Sequence, residues 1–208
     1  PYTTLQIPKQ GIGEWCHPLH TVDINDAGLR SSVQNGILNT ELGIPFRTPA
    51  EGHNVAFTSL WDNYPDSLEI PLKGKASRAY LLMAGSTNHM QCHIDNGVIR
   101  VYYKDGSCDV MSLRNPDNWP PIEHIFFEDG LAFNRHTPAL YRLRLKTGEI
   151  SNNFGEELGF PGASRELDGG AAVLLEMPLN PGKKLSHLVL ETLSNDVVIG
   201  LMSITLQR

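Results

Sequence analysis

Several familiar classes of protein are excluded by what this sequence lacks. Its 208 residues contain three cysteines, Cys16, Cys92 and Cys108. The number is odd and no pair has CxxC spacing, which argues against a disulfide scaffold and against a structural zinc site. Small, buried apolar positions are the expected role of these thiols. No apolar run approaches the roughly 20 residues that a membrane helix needs. No signal peptide is present, and the chain begins at Pro1 without an initiator methionine, as expected for a mature or excised piece. Lysines and arginines form no stripe, and the formal net charge is −6. An acidic balance repels phosphate backbones, so nucleic acid is not an expected partner. Gly-x-Ser-x-Gly is absent. The glycine-rich stretches GEELGFPGAS and DGGAA lack the Lys-Ser/Thr that completes a phosphate cradle.

What is present is the punctuation of a β-protein: short apolar runs between Gly, Pro, Asn and Asp clusters. SRAYLLMA (77–84) is apolar at both parities, as a strand buried on both faces would be. VIRVYYKDGSCDVMSL (98–113) reads as two strands joined by Asp105-Gly106 in a type I′ turn, which opposes Tyr103 to Cys108 and Val101 to Val110. ALYRLRLKTG (139–148) alternates, with Tyr141, Leu143 and Leu145 on one side and Arg142, Arg144 and Lys146 on a basic outer side. AAVLLEMPL (171–179) is another strand. LSHLVLETLS and VVIGLMSITLQ, separated by Asn195-Asp196, read as a closing hairpin, and Gly200 suggests a bulge or a close backbone approach. Strands at this spacing, with almost no helical period, predict an all-β protein, a jelly-roll β-sandwich. Residues 1–42 are expected to be an N-terminal segment or linker packed on or leading into the sandwich, and residues 43–208 the sandwich domain.

The succession AYLLMAGSTN, VIRVYYKDGSCDVMSL and NPDNW, followed at the end by LETLSNDVVIGLMSITLQ, resembles the galactose-binding-domain-like sandwiches attached to secreted bacterial glycoside hydrolases. The likeness covers roughly residues 43–207 and is carried by structural motifs. It implies a non-catalytic accessory module, secreted, periplasmic or on the cell surface. Such a module binds glycan weakly through its loops or braces a catalytic domain of the same polypeptide, so the implied partners are a carbohydrate or that neighbouring domain. It also implies a structural Ca²⁺ as the one candidate cofactor. VDINDAG supplies Asp23, Asn25 and Asp26 for it, an Asx-turn cluster being the alternative.

Sugar binding needs an aromatic face for the pyranose C–H surface, with amides, carboxylates or arginines for its hydroxyls. Loop contexts offer Trp61 and Asn63 in SLWDNYPD, Asn88 and His89 in GSTNHM, and Asn115, Asp117 and Trp119 in RNPDNWPP. Trp119 precedes two prolines and is held extended. That suits a ligand platform and a lid over the core equally, and the lid is favoured because a Trp just past a strand is more often a buried cap than a platform. A different class of function, a metal-dependent jelly-roll enzyme, would use His89 and His93. On a strand those two lie about 13 Å apart, too far to share an ion, so solvent-facing histidines are the expectation there. The carboxylates sit mostly in turn contexts, and no catalytic pair stands out.

Overall fold

A computed structural model of the chain describes residues 2–3, 24–60, 64–125, 133–159 and 165–208. Trp61, Asn63 and Asp23 lie outside the described residues, as do Trp15, Cys16, His17 and His20. Among the described residues strands dominate and pair antiparallel in three sheets. The largest runs β1 (Tyr2–Thr3), β5 (Val55–Ser59), β14 (Val197–Gln207), β7 (Arg78–Thr87), β12 (Ala171–Pro178), β10 (Arg142–Arg144), β11 (Ile150–Ser151). A second runs β6 (Ser67–Pro71), β13 (Leu185–Thr192), β8 (Asp95–Tyr103), β9 (Cys108–Arg114). A small third sheet joins β2 (Val33–Gln34), β3 (Ile37–Asn39) and β4 (Pro45–Arg47). Two short helices, α1 (Ala27–Ser31) and α2 (Phe154–Glu157), complete the described elements.

The seven-stranded sheet is the middle layer, and the period-2 geometry of its strands explains why. Ala79, Leu81 and Met83 of β7 join Val173, Leu175 and Met177 of β12 in a core shared with Ile99 and Val101 of β8 and Leu188 and Leu190 of β13. On the opposite face, Leu82, Ala84, Ala172 and Leu174 pack with Leu29, Leu38 and Phe46 from α1 and the small sheet. A strand covered on both sides must be apolar at both parities, and SRAYLLMA is. The small sheet straddles the division expected between residues 42 and 43, because β3 pairs with β4. Residues 24–47 pack as a covering layer on the sandwich.

Gly200 shows the expected close approach. A Cβ there would lie 2.3 Å from the carbonyl oxygen of Ala84 on the paired strand, and a register shift follows between Leu201 and Ser203.

Three local expectations are corrected. The β8–β9 connection is not a two-residue type I′ turn. Tyr103 and Ser107 close a three-residue loop in which Gly106 alone takes positive φ, at 85°, the type I turn plus left-handed glycine that Asp-Gly also serves. The register moves by one residue, so Tyr102 opposes Cys108 and Val101 opposes Asp109. Val110, paired with Arg100, turns to the outer face, where it is 57% exposed. LSHLVLETLS and VVIGLMSITLQ do not form a hairpin, since β13 and β14 belong to different sheets and their connection arches across the sandwich. Finally, the basic side of ALYRLRLKTG is not all solvent-facing: Arg142 is buried.

Candidate functional site

The exit loop after β9 organises this end of the molecule. Trp119 is fully buried in the core between the sheets. Its amide donates to the carbonyl of Arg114 at 3.0 Å, and its ring fills the space beside Gly85, where a Cβ would come within 2.4 Å of Trp119 Cζ2. The ring is a plug and has no face to offer a ligand.

The other described members of the expected ligand set are mostly interior too. Asn115 is fully buried; its carbonyl accepts from the amide of His93 at 2.7 Å, and its side chain meets Cys92 Sγ at 3.6 Å. Asn88 is buried, and its Oδ1 caps the amide of Met90 at 2.9 Å, an Asx turn. His89 is buried against His124, with Nε2 3.9 Å from Glu123 Oε1. These side chains build the loops and are not presented to solvent. The backbone there is not extended, because His93 sits at φ 57°, so His89 and His93 go to different partners rather than to one strand face.

Of the calcium set, Asn25 Oδ1 accepts from the amide of Ala27 at 3.0 Å, again an Asx turn. The Asp26 carboxylate accepts from Arg30 Nε at 2.7 Å and from Asn54 Nδ2 at 3.1 Å. A carboxylate already neutralised by a guanidinium is a poor calcium ligand, which favours the turn-cluster alternative for these two.

Asp117 is the expected residue that does meet other ligand-type groups. It lies 14% exposed between His93, whose Nδ1 is 3.8 Å from Asp117 Oδ2, and His136, whose Nδ1 is 3.4 Å from Asp117 Oδ1. The sequence reading missed His136, whose position beside Asp117 depends on a contact between distant loops.

Beside this cluster opens a cleft of about 360 Å³ at the β10–β11 end of the large sheet. Pro116 and Pro120 of the exit loop form one wall, and Phe133, Arg135, Asn152, Asn153, Phe154 and Arg165 contribute to the others. Among the described residues of its lining are Arg135, Arg142 and Arg165 and one carboxylate, that of Glu156.

Arg142 explains how the wall is held. One terminal nitrogen donates to the carbonyl of His124 at 2.6 Å, and the other to those of Pro121 and Ala171 at 2.8 and 3.0 Å. Burial pulls its pKa down to about 10, opposed by the nearby Glu123 carboxylate. Its Nε is buried with no hydrogen-bond partner. The side chain thus ties the exit loop to β12 behind the cleft. No family model, curated protein or solved structure matches this chain.

Proposed function

We propose that the chain is a non-catalytic β-sandwich module, of jelly-roll, galactose-binding-like type, from a secreted carbohydrate-processing protein, and that its ligand is an anionic saccharide held in the arginine-lined cleft. The observation that carries this reading is the lining itself. Arg135 and Arg165 suit a sugar carboxylate or sulfate, the amides of Asn152 and Asn153 suit hydroxyls, and Phe133 adds an aromatic surface. The candidate platform at Trp119 is replaced in this reading by that cleft.

Calorimetry of the whole chain with uronate-containing and neutral oligosaccharides tests it. The expected result is binding of the acidic series alone, in the millimolar to micromolar range, weakened at least tenfold by Arg135→Ala or Asn153→Ala. Equal binding of both series, or no binding of either at millimolar concentration, overturns it.

A second reading, a module that packs on a catalytic neighbour of the same polypeptide, is favoured by one feature. Leu60, Met90, Ile94 and Leu193 are exposed on loops at one end of the sandwich. There the amide of Leu193 donates to Asn96, and that of Asn88 to Asp196. Binding of a hydrophobic dye by the isolated chain, lost in a Met90→Ser/Leu193→Ser variant, supports an apolar docking end; no dye binding removes the reading.

A further inference from the structure

Independently of the saccharide reading, we infer that His93, Asp117 and His136 form a binding site for one divalent transition-metal ion of the zinc type. Three separate loops deliver the donors: the β7–β8 loop brings His93, the exit loop after β9 brings Asp117, and the segment before β10 brings His136. One ligand atom from each lies within 4.8 Å of the other two. Bonds of 2.0–2.1 Å in a tetrahedron place ligand atoms about 3.3 Å apart. The carboxylate–imidazole separations are 3.4 Å to Oδ1 and 3.8 Å to Oδ2; with one atom from each residue all separations lie within 4.8 Å, so closing the site requires shifts of up to about 1.5 Å.

The donors are prepared for the task in ways that a chance cluster is not. His93 Nδ1 is buried and has no hydrogen-bond partner, an outlay that native structures seldom leave uncompensated. Its distance of 3.8 Å to Asp117 is beyond hydrogen-bonding range. An ion between the two would give that nitrogen a partner.

Asp117 is fixed from behind. Its Oδ1 accepts from the amide of His136 at 2.7 Å, and its carbonyl accepts from the Thr137 hydroxyl at 2.7 Å. These bonds clasp the His136 loop to the carboxylate and orient it, as outer contacts do around metal ligands. His93 is held by its amide bond to Asn115. The His136 side chain is 65% exposed, so the fourth coordination position opens to water. Two imidazoles and one carboxylate select Zn²⁺ and its first-row neighbours over Ca²⁺ and Mg²⁺, which want six or more oxygens.

The test uses the whole chain stripped with chelator, then titrated with Zn²⁺, and separately with Co²⁺ read by visible absorption. One ion per chain is expected, with affinity falling at least tenfold in His136→Ala and in Asp117→Asn. His136 is exposed and Asp117→Asn preserves shape, so both variants should fold, and unchanged circular dichroism checks this. A His17→Ala/His20→Ala variant should bind as the parent does. Failure of the parent to take up either ion overturns the inference. So does unchanged affinity in the two site variants, or loss of binding in the His17/His20 variant alone.

Discussion

Replacing Arg142 by methionine should destabilise the protein by roughly 2–3 kcal/mol without changing its fold, because two large and opposed contributions meet at this side chain. The guanidinium makes three short bonds to main-chain carbonyls, at 2.6, 2.8 and 3.0 Å. Each hydrogen bond from a charged donor contributes roughly 2 kcal/mol net, or about 6 kcal/mol for the three. Against this stands the cost of burying the cation. Its pKa falls from 12.5 to about 10, a cost of roughly 3–4 kcal/mol at 1.4 kcal/mol per unit. The difference, roughly 2–3 kcal/mol, reaches the lower end of what removing one partner from a buried charged network typically costs. Methionine fills the volume but leaves the carbonyls of Pro121, His124 and Ala171 without their donor. Lysine retains the charge as a point and reaches fewer of them, so Arg142→Lys should lose about half as much. Urea unfolding at pH 7 measures both. At an m-value of about 2–3 kcal/mol/M for the parent, the midpoint of Arg142→Met should fall by about 1 M with m unchanged. Limited proteolysis should find residues 121–125 cut sooner. If Arg142→Met lies within about 0.5 kcal/mol of the parent, the guanidinium is not what holds the exit loop, and the account of the cleft wall fails with it.

Trp119→Ala should cost about 3–5 kcal/mol as a core cavity, and Gly85→Ala about as much, since its Cβ would strike the Val198 carbonyl at 2.2 Å as well as the Trp119 ring; a thermal melt of either within a few degrees of the parent would show that the tryptophan is not a plug. Gly106→Ala should cost about 1 kcal/mol, all of it backbone, because φ is 85° and nothing lies within 4 Å of the added methyl; chemical denaturation of that variant reads the value. Tyr103 is raised to about 12 by burial and then by its hydrogen bond to Asp109, while the Asn180 amide donates to its oxygen. Its folded pKa exceeds the ordinary value of 10, so the phenol's contribution is full below pH 10 and lost as pH rises through 12. Tyr103→Phe should flatten that alkaline loss, and ultraviolet titration should lack a tyrosinate step near pH 12; an unaltered curve would refute the assignment.

The layers were legible because burial writes itself into parity. SRAYLLMA and AAVLLEMPL are apolar at consecutive positions, and β7 and β12 are indeed covered on both faces. What escaped was whatever depends on contacts between distant segments. Asp-Gly serves a two-residue and a three-residue turn equally well, and the choice moves every partner in the β8–β9 pair by one. Asn195-Asp196 could as easily close a hairpin as an arch; the arch is held by contacts such as Thr58 with Thr192, 2.8 Å apart across 134 positions of sequence. Arg142 alternates as an outward residue should, and it is interior because a loop twenty residues earlier folds over it. The same limit applied at the site. Asp117 was a visible candidate, but its partners His93 and His136 lie 24 residues before and 19 after it, and no local pattern marks such a triplet.

The cleft and the histidine–aspartate cluster meet through two dipeptides. Pro116 lines the cleft and the next residue, Asp117, faces the imidazoles; Arg135 lines the cleft and the next residue, His136, completes the cluster. Adjacent residues in an irregular loop project in different directions, so the same short stretches serve both places. The bond from the His136 amide to Asp117 fastens one stretch to the other. Anything that tightens this fastening also fixes where Arg135 stands at the cleft. An ion that bound His93, Asp117 and His136 would act on the cleft without entering it, through the His136 amide bond that sets where Arg135 stands. Were a saccharide to bind the cleft, such a link would run both ways: the factor by which the ion strengthened saccharide binding would be the factor by which the saccharide strengthened the ion's. The exit loop could carry this coupling because its far end is anchored, with Trp119 sunk in the core and Pro121 tied to Arg142. A plug at the end of the sandwich is in this way a condition for the site beside it.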